Sequence, residues 1–535
     1  MEKIATDIYT FAELRNGGFT YVDKTDALYA MASGEFGKQF FIARPRRFGK
    51  SLAVSTLRAL FEGRRELFRG LAVEPKWDWS KKWPVLHLDM GTMQYDKVEE
   101  LEIALKSYFR SMAVDMGLSI NEGDTLPNIF RNLIRDVAAT SPDGKCVVLI
   151  DEYDKPLLKA LNTPEVTKFR DFFKPFYGVV KYEEPKQRFA FITGVSKFSK
   201  VSIFSDLNNL NDWTMDARAA TLFGYTHDEV KKCFPRGIHE VAWANGMTDE
   251  DAFSEILKWY DGYRFEENAV PVINPVSLGQ CFQKRKFSNY WSKTAVPTFL
   301  IDILKRHPLN FASVDVTDDR LEAYEPENPD ITTLLYQTGY LTIKSAQRLN
   351  DTVVYELCFP NREVANSFTA RLVPAYVGMD ALFAESATFE AARALYAHDV
   401  PRFLKALRAF FANIPYDLTD RQNEQTWQAI VYAVLRAMCA TVNAEVRTND
   451  GRMDMVVDLP NDIYIVEFKL DRPAAEAMEQ MKGKDYAGKY ALSGKRVTLV
   501  GISFSSGKRT IVEELVEEFH KQTDTSKTGG CTHEE

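Results

Sequence analysis

The most restrictive feature of this sequence is the junction FFIARPRRFGKS, where an apolar run leads through a short loop into Gly49, Lys50 and Ser51. The run KQFFIAR (38–44) predicts a buried strand, and SLAVSTLRALFEG (51–63) has the apolar spacing of a helix. At such a junction backbone N–H groups cradle phosphates, the lysine reaches the β and γ oxygens, and the hydroxyl ligates magnesium. The predicted phosphate-binding residues are Arg44, Pro45, Arg46, Arg47, Phe48, Gly49, Lys50 and Ser51.

Arg44 departs from the usual pattern GxxxxGK[ST], because it stands where the first glycine is expected. Glycine at that position normally permits the tight turn out of the strand, and Pro45 can stiffen the loop instead. Arg46 and Arg47 have two interpretations: they contact phosphates or a nucleic acid, or they are charges of a solvated loop. The sequence leaves both open.

A second apolar strand that ends in acidic residues completes the predicted site. In KCVVLIDE (145–152), Asp151 is placed to hold magnesium-bound water and Glu152 to polarise the attacking water. Ser51 and Asp151 are therefore the predicted magnesium contacts, and they lie about 100 residues apart in the chain. The combination of the two motifs predicts a site for ATP with Mg²⁺.

Short apolar strands alternate with amphipathic helical segments over residues 1–225, which is typical of a parallel α/β sheet. Further strands are WPVLHLDM (83–90) and RFAFITG (188–194), and the second is apolar on both faces, as a central parallel strand must be. Thr193 or Ser196 is a candidate sensor of the γ-phosphate, and Arg188 is a candidate arginine finger. An ordinary strand-to-loop transition explains Thr193 equally well.

A cluster of charged residues marks the C-terminal part, where GRMDMVVDLPNDIYIVEFKL (451–470) predicts a β-hairpin. Glu467 and Lys469 are two residues apart and share a face of one strand, and Asp454 lies in the neighbouring strand. Two adjacent carboxylates repel each other unless a cation lies between them. Lys469 is then placed to orient or help deprotonate a metal-bound water. An exposed ion pair between Glu467 and Lys469 is the competing interpretation.

The spacing D-x12-E-x-K resembles the PD-(D/E)xK nuclease superfamily, with Met453 in place of the proline in its name. The resemblance implies that Asp454 and Glu467 ligate magnesium together with the main-chain carbonyl of Phe468, and that Lys469 is catalytic. It further implies one helical metal ligand and two residues beside the site, which are Glu424, Gln480 and Tyr486.

Across nearly the whole chain, from about residue 3 to 518, the motifs are similar to a bacterial family that joins an AAA-ATPase-like domain to a C-terminal PD-(D/E)xK nuclease domain. These motifs are YVDKT, RPRRFGKS, VVLIDEYDKP, FITGVSKFSKVSIFSDLNNL and the EFK hairpin. The expected fold is a P-loop α/β sheet, a helical middle region and a restriction-endonuclease-like α/β domain. The expected divisions are a P-loop domain (1–225), a helical, winged-helix-like lid (226–345), a helical connector (346–415), a nuclease-like domain (416–519) and a disordered tail (520–535).

Bulk properties exclude several classes of protein. A net charge of −8 gives no overall positive field for nucleic acid, although a nuclease needs only a local basic channel and a metal. The six cysteines form no CxxC pair, so neither a zinc knuckle nor a disulfide framework is indicated. The N-terminus is unlike a signal peptide, and no apolar run approaches the ~18 residues of a membrane helix. We therefore expect a cytoplasmic protein without membrane partners.

The leading hypothesis is an ATP-regulated nuclease that acts on DNA or RNA. The alternative is a nucleotide-dependent switch that binds a protein partner, with a nuclease-like domain that does not cleave. In that case the aromatic residues Trp259, Tyr260, Tyr263 and Phe265 could form a partner surface, although such residues are more often core. A ring-forming motor built from copies of the chain ranks last, because no arginine finger or pore loop is recognisable with assurance.

Overall fold

The computed structural model describes residues 2–121, 123–199, 209–291, 300, 314–377, 381–411, 442–448, 451–508 and 510–519. The chain forms two compact units. Unit 1 comprises residues 1–300 and 315–365, and unit 2 comprises residues 301–314 and 366–535. The finer division into four domains and a tail stays a prediction, and the tail at 520–535 lies outside the described residues.

Unit 1 is built on a five-stranded parallel sheet with the strand order β5-β1-β4-β3-β2. Every residue of β1 and β3 is buried, which explains why their sequences are apolar on both faces. The expected P-loop α/β sheet is confirmed. The strands are β1 (Gln39–Ala43), β2 (Val85–Asp89), β3 (Cys146–Asp151), β4 (Gln187–Gly194) and β5 (Asn211–Asp212).

Helices connect these strands, and their apolar sides cover the sheet. In α3 the spacing predicts Leu52, Leu57, Leu60 and Phe61 on the buried side; the last three are buried and Leu52, in the first turn, is only partly buried. In α5 a continuous apolar side from Leu126 to Ala138 is buried. The helices of this part are α1 (Phe11–Asn16), α2 (Thr25–Ala32), α3 (Lys50–Phe61), α4 (Val98–Asp115), α5 (Leu126–Ala139), α6 (Lys155–Ala160) and α7 (Val166–Tyr182).

Four helices with their own apolar core follow the sheet, as the helical middle region predicts. Polar side chains close the first turns of three of them: Thr226 forms a capping box with Glu229, Thr248 accepts the Asp251 N–H, and Asn274 accepts the N–H groups of Val276 and Ser277. The helices are α8 (His227–Cys233), α9 (Pro235–Asn245), α10 (Asp249–Tyr260) and α11 (Pro275–Lys284).

The aromatic residues of this region belong mainly to the core. Tyr260, Tyr263 and Phe265 are 0%, 1% and 7% exposed, and Trp259 packs partly buried against the core of the helices. The interpretation of these residues as a partner surface is therefore wrong, because their rings are already covered by their own chain.

A small sheet lies where the sequence predicts mainly helices. It has the order β6-β8-β7, and β7 and β8 form an antiparallel hairpin whose turn contains Asn350 at φ +53°. The prediction of an all-helical connector from residue 346 is wrong here, because the strands alternate between buried and exposed residues only weakly. The elements are β6 (Val314–Thr317), α12 (Asp318–Glu322), α13 (Ile331–Gln337), β7 (Thr342–Leu349) and β8 (Thr352–Cys358).

Three helices follow the hairpin, as the periodicity of residues 362–415 predicts. They are α14 (Arg362–Val377), α15 (Ala381–Tyr396) and α16 (Val400–Phe411). Across the described residues, none of the helices combines the length and the apolar character that a bilayer crossing requires.

Unit 2 contains a five-stranded mixed sheet with the strand order β13-β12-β11-β10-β9. The central strands β11 and β12 run parallel, whereas β10 and β13 are antiparallel to their neighbours. Helix α17 packs on β11 and β12, and Gly501 permits the approach, since a Cβ there would lie 2.9 Å from the Ala474 carbonyl. The elements are β9 (Val442–Thr448), β10 (Gly451–Asp458), β11 (Asp462–Leu470), α17 (Ala474–Gly483), β12 (Arg496–Ser505) and β13 (Thr510–Glu518).

Candidate functional site

In unit 1, the polar residues predicted to bind phosphate and magnesium meet at the carboxyl edge of the parallel sheet. The loop that follows β1 lies there, and Asp151 ends β3. Strand β2 ends in Asp89, directly opposite Asp151 in the strand register. Ligands of open α/β sheets bind outside the carboxyl ends of the strands, so this edge is the candidate site.

The loop has the backbone conformation of an anion cradle. Gly49 has φ +93° and a Cβ there would meet no atom within 4 Å, so only the left-handed backbone requires glycine. Arg47 is also left-handed, with φ +69°. Lys50 is buried and its Nζ donates to the carbonyl oxygens of Arg44 (2.9 Å) and Pro45 (3.1 Å), so the loop folds around its own lysine.

Three acidic groups surround the buried Lys50. Burial lowers the pKa of Lys50, and Asp151, Asp154 and Glu152 partly offset that effect. Burial raises the pKa of Asp151 to about 6, and a hydrogen bond with the Ser51 side chain opposes the rise. Ser51 and Asp151 are thus brought into contact, as expected of two residues that share a magnesium ion.

Asp154 is a member of the site that the sequence reading missed. It is 1% exposed, and its Oδ2 accepts the backbone N–H groups of Val195 (3.0 Å) and Ser196 (2.6 Å). Burial raises the pKa of Asp154 to about 6, which Lys50 and the two backbone donors oppose. Asp154 therefore ties the end of β3 to the end of β4.

Glu152 is more exposed than Asp151 and Asp154 at this edge. Its backbone is left-handed, with φ +51°, and its carboxylate lies 3.4 Å from the Lys155 ammonium. A Cβ on Gly91 would lie 2.5 Å from Glu152 Oε2, so glycine at 91 leaves room for this side chain beside Asp89. The strained backbone of Glu152 directs its carboxylate toward the loop after β2.

The side chain of Arg44 makes its contacts inside the fold and is not placed to donate to a phosphate. Its guanidinium is 1% exposed, donates to the carbonyl oxygens of Ala43 (2.9 Å), Thr214 (2.5 Å) and Ala219 (3.0 Å), and lies 4.2 Å from the centre of the Phe265 ring. The side chain therefore turns away from the loop that it begins. Phe48 is also buried, against Tyr263 and Phe265. Arg44 and Phe48 can therefore reach a phosphate only through their backbone.

The two other arginines of the loop differ from Arg44. Arg47 donates to the Tyr290 carbonyl at 3.0 Å, and Arg46 is exposed. Both line a cavity of about 390 Å³ beside Lys50 and Ser51. Its remaining walls come from the N-terminal segment and from the helical region, for instance Thr6, Ile8, Tyr21, Tyr225 and Pro275. The cavity is large enough for a small ligand.

Thr193 and Arg188, which the sequence suggests as a phosphate sensor and an arginine finger, both make contacts within the fold. Thr193 is fully buried and donates to the Ile42 carbonyl at 2.7 Å, so it braces β4 against β1. Arg188 lies near the amino end of β4, opposite the loop, where it contacts the Ala32 carbonyl and stacks near Trp83. The Arg188 side chain therefore does not serve the loop of its own chain.

Unit 2 has a second charged site on the hairpin of β10 and β11. The register places Met455 opposite Val466, so that Asp454 and Glu467 are the next pair along the strands. The Asp454 N–H donates to Glu467 Oε2 (3.3 Å), and the Phe468 N–H donates to Asp454 Oδ2 (2.9 Å). The two predicted metal-binding carboxylates are thus held side by side.

Glu467 is 1% exposed, and burial together with the neighbouring Asp454 raises its pKa to about 7. Lys469 is 7% exposed, and its Nζ lies 3.3 Å from Glu467 Oε1 and 2.8 Å from Gln480 Oε1. Gln480 also donates to Glu467 and to the Tyr486 hydroxyl (3.3 Å). The interpretation of Glu467 and Lys469 as an exposed surface pair is therefore wrong.

Asp454 and Glu467 fit a hard divalent cation. Magnesium takes carboxylate and carbonyl oxygens and keeps several waters, and a cation would relieve the repulsion between the two acids. Within the described ranges no group of three histidine, cysteine, aspartate or glutamate side chains gathers as a metal site. The predicted helical ligand Glu424 lies outside the described residues.

Comparisons with known proteins give a family match for the region around each of the two sites. Residues 5–204 match a family model described as a predicted AAA-ATPase, and residues 422–514 match the PD-(D/E)XK nuclease superfamily. A protein of Azotobacter chroococcum mcd 1, described as "Uncharacterized protein in vnfD 5'region", is 38% identical over 528 residues. That similarity covers 96% of this chain and 99% of the Azotobacter protein.

The chain belongs to this family of AAA-ATPase-like proteins with a PD-(D/E)XK nuclease superfamily domain. The family boundaries enclose the sites described above. The loop, Asp151 and Asp154 lie within the AAA-ATPase-like match, and the carboxylate hairpin and α17 lie within the nuclease superfamily match.

Two acids of the AAA-ATPase-like site could have been found by reading the sequence further. Asp89 ends the apolar run WPVLHLDM in the same way that Asp151 ends its strand, and Asp154 follows three residues after Asp151. Both signals are weak alone, because apolar strands often end in aspartate. Only the sheet order shows that the ends of β2 and β3 are neighbours.

Proposed function

We propose that this chain is an ATP-regulated, magnesium-dependent nuclease. The observation that carries the proposal is the half-buried Asp454 beside the buried Glu467 and Lys469, with Gln480 hydrogen-bonded to both of the buried residues. A fold gains no stability from two touching carboxylates in a buried position. Such a pair is therefore explained by a cation and by the reaction that the cation promotes.

In this proposal, Asp454 and Glu467, with the carbonyl of Phe468, hold a divalent cation that polarises the phosphodiester. Lys469 orients the attacking water and stabilises the negative charge that develops as the water loses its proton. The water oxygen would form a new bond to phosphorus and release its proton to solvent, while the bond from phosphorus to the leaving sugar oxygen breaks and that oxygen takes up a proton from solvent. Gln480 fixes the position of Lys469 through its 2.8 Å hydrogen bond.

ATP binding is proposed for the cavity beside the loop 44–51. The γ-phosphate would replace the carbonyl oxygens that Lys50 now contacts, and Ser51 and Asp151 would hold magnesium. Glu152 is the proposed group that polarises the attacking water. Asp89 and Asp154 support this arrangement from the neighbouring strand ends.

Regulation by ATP is supported by a chain of contacts within unit 1. Arg47 of the loop donates to the Tyr290 carbonyl, and the backbone N–H groups of Tyr290 and Trp291 donate to the buried carboxylate of Glu363. Glu363 lies in the first turn of α14. A change in the loop on nucleotide binding can therefore reach the start of this helix, and we propose that it controls cleavage by this route.

The test is cleavage of labelled single- and double-stranded DNA and RNA with Mg²⁺ or Mn²⁺, with and without ATP. Glu467→Ala and Lys469→Ala should lower the cleavage rate by about 100-fold or more. Glu479→Ala, a change on the exposed side of α17, is the matched control and should cleave like the wild type.

Lys50→Ala separates regulation from chemistry, with the exposed Lys81→Ala as its control. Cleavage that depends on ATP in the wild type and not in Lys50→Ala supports the proposal. If the wild type binds ATP but cleaves none of the substrates, the alternative of a nucleotide-dependent switch that binds a protein partner replaces it. If Glu467→Ala cleaves normally, the assignment of the carboxylate site is wrong.

A further inference from the structure

A second cavity of about 810 Å³ lies on another side of the phosphate-binding loop. It is formed by the segment after β2, helix α6, helix α13 and the residues that flank them, all within unit 1. Three aromatic side chains line it, namely Tyr95, Trp291 and Tyr340, and Leu158 and Leu334 contribute apolar surface. Its volume is within the range of about 300–1,000 Å³ that small-ligand sites occupy.

Among the described cations around this cavity, the two lysines have acidic partners and Arg46 has none. Lys159 pairs with Asp96 at 2.7 Å, and Lys155 donates to the Gly91 carbonyl and lies 3.4 Å from Glu152. The remaining acid of the lining, Glu100, accepts the backbone N–H of Asp96. These lysines and acids therefore satisfy one another or nearby backbone groups.

Arg46 is the cation that remains. It is exposed, and in the part of the chain that the structure describes it has neither an ion-pair nor a hydrogen-bond partner. Of the described residues, Arg46 alone lines both this cavity and the 390 Å³ cavity beside Lys50. An anion in either cavity would have this guanidinium within reach.

We propose that the larger cavity is an effector site for a small aromatic anion, a ring system that carries a single anionic group. The ring lies among Tyr95, Trp291 and Tyr340, since aromatic faces and edges favour stacked or edge-to-face neighbours. The anionic group pairs with Arg46. Nucleoside monophosphates and aromatic carboxylates or sulfonates share this chemistry.

The site is coupled to the nucleotide, and this part rests on the proposed function. The two ligands share the single guanidinium of Arg46, so an anion in one cavity offsets part of the positive charge that would attract an anion into the other. Bound ATP lowers the affinity of the effector, and the effector lowers the affinity of ATP by the same factor. We expect a factor of about fivefold, the lower end of common coupling strengths.

The probe is 8-anilinonaphthalene-1-sulfonate, an aromatic anion whose fluorescence rises in apolar surroundings, titrated into the full-length chain. We expect saturable binding of one equivalent. Leu158→Trp, which fills the cavity from a half-buried position, should weaken binding about tenfold, and Arg46→Ala about fivefold. Arg64→Ala, an exposed arginine paired with Glu66, is the control and should bind like the wild type. Melting temperatures confirm that each variant is folded, and Thr338→Phe is a second filling variant from the opposite wall.

Competition and coupling complete the test. Displacement of the probe by adenosine monophosphate or by 2-naphthalenesulfonate, but not by neutral 2-naphthol, supports the site and identifies the source of the anion. Equal displacement by 2-naphthol, or binding that neither filling variant weakens, overturns it. ATP should raise the dissociation constant of the probe about fivefold in the wild type and not in Arg46→Ala. ATP binding is measured separately by calorimetry.

If ATP does not bind, the proposed function is refuted. If ATP binds but does not change the affinity of the probe, the coupling is refuted.

Discussion

Replacing Arg44 by methionine tests whether this residue holds the fold or the nucleotide. The change removes three hydrogen bonds from a buried cation to the carbonyl oxygens of Ala43, Thr214 and Ala219, and a cation–π contact with Phe265. Hydrogen bonds to charged groups contribute about 1.5–3 kcal/mol each and the ring contact about 1–2 kcal/mol. Much of this total is offset, because methionine, unlike the guanidinium, does not have to give up the hydration of a charge on burial. We therefore expect a net loss of about 3–5 kcal/mol, because three carbonyl oxygens lose their donor and an unsatisfied buried acceptor costs about 1–3 kcal/mol.

The assay is thermal unfolding of the full-length chain together with ATP binding at low temperature. With an unfolding entropy of about 2.1 cal/mol/K per residue, a unit made of residues 1–300 and 315–365 should lose roughly 4–7 °C in melting temperature. The ATP dissociation constant of Arg44→Met should stay within about threefold of the wild type, because the guanidinium faces away from the loop.

Arg46→Met is the matched control, since it lies in the same loop but is exposed. It should melt within about 1 °C of the wild type and bind ATP more weakly. The opposite pattern, in which Arg44→Met melts normally and loses ATP binding, would refute the assignment of Arg44 to the fold.

Three further predictions concern other parts of the chain. Burial raises the pKa of Glu363 from 4.5 to about 7, so its ionisation costs the folded state progressively more stability as the pH rises from about 4.5 to 7. Glu363→Gln should gain up to about 3 kcal/mol over the wild type at pH 8 and almost nothing at pH 4, as measured by urea unfolding. Gly501→Ala should destabilise unit 2 by about 1–3 kcal/mol, because the new methyl group would lie 2.9 Å from the Ala474 carbonyl; an unchanged urea midpoint would contradict this. Millimolar Mg²⁺ should raise the melting temperature of unit 2 in the wild type and not in Asp454→Asn, and equal shifts would place the ion elsewhere.

The local motifs could be predicted because each depends on a short stretch of chain. The strand before the loop, the helix after it and the hairpin of Asp454 and Glu467 follow from apolar spacing alone. The alternation of a strand places Glu467 and Lys469 on one face, whereas the side-by-side position of the two carboxylates depends on the register of β10 and β11. Gln480 was identified through the family resemblance and lies in contact with Lys469.

The sequence by itself determined the fold class, the strand, loop and helix around Gly49 to Ser51, and the acidic hairpin of this protein. Only the tertiary structure decided that Arg44 points into the fold, that Asp89 and Asp154 join Asp151, and that Arg46 faces two cavities. The physical reason is the range of the interactions. Helices, strands and turns depend on residues a few positions apart, whereas burial of a charge depends on partners such as Ala219, which is 175 residues from Arg44.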